Sequence, residues 1–172
     1  MALNLPNGQR AERKTLITVA EWTDSTGTSS TQKREILGKR VEDSSVEFNA
    51  DIATVTDILG ITYTDVNKTE PVQSFDPFNI IGGSDLASYL IEAALSNDIT
   101  KYNNVFTIYI IAAFSGSSSA YFAVKHTGCS IIPTSIGGDA YVGMPIEVHY
   151  SNNITKGTVD KLADDFEFTP VP

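Results

Sequence analysis

Cysteine, histidine and long apolar runs are scarce in this chain, and each shortage closes a class of function. Cys129 is the single cysteine among 172 residues, so an intrachain disulfide is impossible. Its neighbours Ser130, Ile131 and Ile132 read as a buried strand, which suits a small hydrophobe better than a nucleophile. His126 and His149 are the two histidines, both in strand-like patterns, with no cysteine or second histidine at metal-ligand spacing. There is no G-x-S-x-G, P-loop or G-x-G-x-x-G, so no enzyme, cofactor or metal is expected. A partial calcium-loop pattern (Asp65, Asn67, Thr69, Asp76) has Glu70 where the turn needs glycine, and Pro71 follows. No apolar run approaches the ~20 residues that cross a bilayer. The opening "MALNLPNGQRAERK" lacks the apolar stretch of a signal peptide, giving an expectation of cytoplasmic production and no membrane.

Basic residues are also scarce, but locally. Residues 41–100 hold Lys68 alone against eleven Asp and Glu, whereas residues 1–40 hold seven Lys and Arg against four acids. The net charge of -9 argues against tight binding to a nucleic-acid backbone. Within the acidic segment, "VEFNADIATVTDILGITYTDVNKTEP" reads as β-structure. Alternation puts Val46, Phe48, Ala50 and Ile52 on one face and Glu47, Asn49 and Asp51 on the other. Asp57 keeps the acidic parity only if the strand is unbroken. A face so acidic is expected to stay out of a core.

Hydrophobic residues are 41% of the chain, ordinary for a single globular domain with a real core. Residues 1–14 read as an N-terminal arm and 15–172 as one domain. "TDSTGTSSTQK" (23–33) reads as an extended exposed loop. The period then changes: Leu86, Tyr89, Leu90, Ala93 and Ala94 recur at helical spacing, predicting one amphipathic helix over about 84–97, with Ser84 as N-cap. "NVFTIYIIAAF" (104–114) reads as a strand buried on both faces, followed by a turn at 115–119. The fold class expected is mainly β, a sandwich or barrel of about seven to nine strands flanked by one α-helix.

The block "VEDSSVEFNADIATVTDILGITYTDVNKTEPVQSFDPFNIIGGSDLASYL", followed by "SIGGDAYVGMPIEVHYSNNITKGTV", resembles the phage major tail protein family. These are the tail tube subunits of long-tailed phages and phage-tail-like particles. The resemblance spans roughly Glu12 to Val159 and rests on the order of an acidic strand, a Thr-rich hairpin, a "DP…GG" turn and an amphipathic helix. It implies a structural virion protein: a homo-oligomer of hexameric rings that self-assemble and stack into a tail tube around a tape-measure protein, contacting other tail proteins. DNA then passes through without specific binding during ejection, and the protein ends in the virion tail. On that implication Glu47, Asp51, Asp57 and Glu42 line an acidic lumen. The basic arm residues Arg10, Arg13 and Lys14, with the loop at 23–33, make ring-to-ring contacts. A monomeric β-sandwich binding module, an adhesin or carbohydrate binder, is the alternative.

Overall fold

The computed structural model describes residues 3–26, 29–41, 43–117 and 120–171. Among the described residues, eleven strands and one α-helix make the chain mainly β, with a nine-stranded antiparallel sheet and a separate two-stranded one. The count exceeds the seven to nine expected because the acidic stretch is divided among several strands and short pairings such as Val46–Glu47 carry no pattern of their own.

The nine-stranded sheet has two wings that share one strand. In the first wing, β1 (Leu16–Thr26) pairs with β2 (Ser29–Ile36) and with β7 (Phe106–Ser117). From β7 the order continues through β8 (Ala120–Pro133) and β10 (Ile154–Val159) to β11 (Phe168–Pro170). In the second, the end of β8 pairs with β9 (Ile146–His149), then β6 (Val72–Phe75) and β3 (Val46–Glu47). Gly128 divides the two wings along β8. Phe106 faces Cys129 and Thr107 faces Thr127, leaving Gly128 as the extra residue of a bulge at φ 82°. A bulge bends its strand, and a positive φ suits a residue without Cβ.

The bend turns the wings toward each other over one core. Ala20 and Trp22 of β1, Phe106 and Ile108 of β7, Phe75 of β6 and Ile146 and Val148 of β9 pack in one buried cluster with Leu86, Ala87 and Leu90 of α1 (Asp85–Ser96). Trp22, Tyr89 and Phe106 sit with centroids 6.0 to 6.4 Å apart, Tyr89 meeting Phe106 edge to face. Four buried polar side chains within satisfy one another, whereas the buried Trp22 Nε1 has no hydrogen-bond partner. Thr18 Oγ1 and Tyr150 Oη donate to Gln73 Oε1 at 3.1 and 2.6 Å, while Gln73 Nε2 donates to Ser44 Oγ at 3.0 Å.

The outer face of the first wing is covered too, which explains why β1 and β7 are buried on both sides. Val19, Tyr109, Ile111, Ala123, Val159 and Phe166 form a second cluster under the C-terminal segment. Arg34 pins that segment. It is ion-paired to buried Glu21, donates to the Phe166 carbonyl at 2.7 Å and lies 4.6 Å over the Phe166 ring.

The helix begins where its sequence places it. Ser84 Oγ accepts from Ala87 N at 3.0 Å, and Asn97 ends it in the left-handed conformation. A second cap comes from across the fold: Glu35 of β2 accepts from Ser84 Oγ at 2.8 Å and from Leu86 N at 3.0 Å.

The segment 23–33 differs from its expected loop. Thr23 pairs with Gln32 and Asp24 with Thr31, so residues 23–26 and 29–33 are paired strands extending β1 and β2, while 27 and 28 lie outside the described residues. Threonine is β-branched and tolerates strands well, and a two-strand extension beyond the core needs no apolar face.

Candidate self-assembly surface

β4 (Ala50–Thr56) and β5 (Thr62–Thr69) form the two-stranded sheet, and among the described residues they pair only with each other. Val, Ile and Thr favour the extended backbone on both arms. The tip is built by Asp57. Its Oδ1 accepts from Leu59 N at 2.8 Å and Ile61 N at 2.9 Å, and Asp57 N donates to Ile61 O at 2.9 Å. Gly60 supplies the positive φ of 78° that the turn requires. Thr56 and Thr62 hydroxyls meet at 3.1 Å just below it.

The pairing register defines two faces. Ala53 with Asp65 and Val55 with Tyr63 share one; Ile52 with Val66, Thr54 with Thr64 and Thr56 with Thr62 share the other. Neither is covered by the body of the protein. Ile52, Val55, Tyr63 and Val66 are all exposed, and at the tip Ile58 is 102% and Leu59 77% exposed. An isolated two-stranded hairpin is marginally stable in water, and a contiguous exposed apolar surface marks an interaction site. The hairpin is also acidic: Asp51, Asp57, Asp65 and Glu70 outnumber Lys68, which is paired to Glu70 at 2.7 Å. That contact holds the Glu70 carboxyl below its ordinary range, through the hydrogen bond from Lys68 first and its charge second.

The acidic residues singled out in the sequence fall in three settings. Glu47 is exposed on β3, an edge strand of the body, opposite Val72. Asn49 then takes φ 43° and breaks the chain direction, so Asp51 belongs to the hairpin and not to a continuation of the Glu47 strand. The single unbroken face expected from alternation is therefore absent, because a left-handed residue resets the parity. Asp57 lies in the turn, its carboxylate committed to backbone donors. Glu42 lies outside the described residues.

The arm is attached at both ends to its own chain. Leu3 bridges Ser115, and Asn4 N donates to Phe114 O at 2.9 Å. Arg13 donates to the Ser44 carbonyl at 2.6 and 3.1 Å and to the Leu16 carbonyl at 2.7 Å. Lys14 pairs with Glu12 at 2.5 Å in an exposed setting, and that hydrogen bond raises its pKa. Arg10 is exposed.

Elsewhere the titratable groups serve the fold. His126 Nδ1 contacts Ser151 O at 3.0 Å, and His149 Nε2 lies 3.3 Å from Glu147. Burial pushes the Cys129 thiol and the Tyr150 hydroxyl up, and it pushes Tyr109 up to about 12 with help from the Glu21 charge. Asp65, Asn67 and Thr69 lie along extended β5, which does not wrap around a common point. Among the described residues no group of three His, Cys, Asp or Glu gathers as a metal site, and no helix is long and apolar enough to cross a membrane.

No family model matches the chain, and no curated protein matches it. Among solved structures it is similar to a chain from the sheath-tube complex of an extracellular contractile injection system (PVC) in the extended state. Identity is 13%, the match covers 89% of this chain and 95% of that one, and the TM-score is 0.46. At that score the likeness is too loose to carry a functional argument.

Proposed function

We propose that this chain is a structural tail tube subunit without catalytic activity, assembling into hexameric rings that stack into a conduit for DNA. One observation carries the assembly. A hairpin separate from the nine-stranded sheet exposes Ile52, Val55, Ile58, Leu59, Tyr63 and Val66 to water. Such a surface is a liability for a monomer and an asset for a subunit whose neighbours cover it. The tube in particular is supported by the motif order in residues 12–159, which resembles the phage tail tube family.

On this reading Glu47 and Asp51 face the lumen, where like charge keeps a passing polyanion from sticking because no counter-ions are released on contact. Tape-measure and other tail proteins are its partners in the virion. Sedimentation and negative-stain microscopy over a concentration series test the proposal, with tail initiator components added. Rings or tubes are expected. A strictly monomeric species under all those conditions overturns it and favours the binding-module reading.

A further inference from the structure

The hairpin tip and a groove on the body of the same protein are complementary in shape class and in charge. The groove, of about 400 Å³, has Leu16, Ile36 and Val41 at its mouth and Leu37 and Phe75 beneath. Arg13 and Lys14 form its rim, Lys14 being paired with Glu12 at 2.5 Å, and among the described residues no carboxylate lines the groove itself. The other principal concavities each hold a carboxylate: Glu35 with Lys39 in one, Glu70 in another, Asp164 and Asp165 with Arg34 in a third, Asp76 in a fourth. The tip offers two adjacent aliphatic side chains, Ile58 and Leu59, on a hairpin whose acids outnumber its one lysine. Arg13 is held by backbone carbonyls and by no carboxylate among the described residues, so the rim keeps a positive charge that favours an acidic hairpin. Ile58 is wholly exposed, so the tip does not fill the groove of its own chain.

We infer that the Ile58–Leu59 tip of one copy seats in the groove between Arg13 and Val41 of a second copy. The inference rests on the self-assembly reading and names the contact that would produce it. In an assembly each copy offers its tip to one neighbour and its groove to another, a heterologous contact that propagates into rings or open filaments. The contact expected of the basic arm then acquires a specific partner. Held by the Ser44 and Leu16 carbonyls, Arg13 is fixed as a wall of the socket.

The test uses the full chain and two variants that each add one cysteine, Leu59→Cys and Val41→Cys, native Cys129 being buried. Mixed under mild oxidation, the two should give a disulfide-linked heterodimer that neither gives alone. A third variant, Tyr141→Cys, beside the concavity that holds Asp76, should not pair with Leu59→Cys. Separately, the double variant Ile58→Asp, Leu59→Asp should lose assembly while its circular dichroism and melting temperature stay as in the parent. Rings or tubes in which Leu59→Cys pairs with Tyr141→Cys, or with neither, overturn the socket and leave the tube reading standing. A Leu59–Val41 crosslink in a protein that never forms rings or tubes supports the socket and overturns the tube. Unchanged assembly of the double variant overturns the socket outright.

Discussion

The nine-stranded body and the two-stranded hairpin obey opposite rules, although both are built from the same β-favouring residues. In the body, even polar side chains are buried with partners: Gln73 serves Thr18, Tyr150 and Ser44, and Glu21 serves Arg34 and Tyr109. In the hairpin, apolar side chains stand in water while the polar ones organise a turn and pair at the surface. The contrast separates two sources of stability. The body buries a core of its own, whereas the hairpin leaves its apolar side chains in water.

The largest effect expected is in the body. Trp22→Ala removes a large side chain that is 2% exposed at the meeting of both wings and the helix, and should cost about 3–5 kcal/mol in denaturant unfolding. A loss within experimental error would mean that the wings do not share one core.

Alkaline pH gives the next effect. The Tyr109 hydroxyl is pushed up to about 12, so between about pH 10 and 12 the unfolded chain loses this proton and the folded chain keeps it. The unfolded state then binds fewer protons, and stability falls as pH rises through that window, by about 2–3 kcal/mol for the full shift. Tyr109→Phe should flatten this part of the slope in pH-dependent denaturation, and an unchanged slope would exclude Tyr109 as its source.

Smaller again is the cap that joins β2 to the helix. Glu35→Ala leaves Ser84 Oγ and Leu86 N without their acceptor and should cost about 1–2 kcal/mol. Hydrogen exchange should show faster opening at the first turn of α1, and unaltered protection there would show the cap to be redundant.

The smallest effect is the sharpest for the comparison. Glu47→Lys with Asp51→Lys alters two exposed positions and should change monomer stability by less than about 0.5 kcal/mol. On the tube reading the same pair should retain DNA or block assembly, seen as slowed genome ejection or as DNA co-sedimenting with tubes. Adding Asp57→Lys is a poorer experiment, because that carboxylate holds the turn.

Where local chemistry decides local structure, the sequence was readable. The helical spacing of Leu86, Tyr89, Leu90 and Ala93 names a face that is buried or half-buried in the fold, and the apolar run after Asn104 is a strand covered on both sides. Two readings failed for related reasons. Polar, Ser- and Thr-rich residues 23–33 suggested a loop, yet pairing between β1 and β2 supplies backbone hydrogen bonds regardless of side-chain polarity. Alternation placed Glu47 and Asp51 on one face of one strand, yet Asn49 adopts a left-handed conformation, which asparagine signals less strongly than glycine.

By itself the sequence determined the mainly β class, the one amphipathic helix, the segregation of charge and the absence of any recognisable catalytic motif, because periodicity and composition are properties of short windows. Only the tertiary structure decided which strands leave the body as a hairpin, that Glu35 caps a helix about 50 residues away, and that Arg13 walls an apolar groove. Those depend on which distant segments meet, and a bulge at Gly128 and a left-handed Asn49 choose the meeting points by redirecting the backbone, an effect that hydrophobic pattern does not encode.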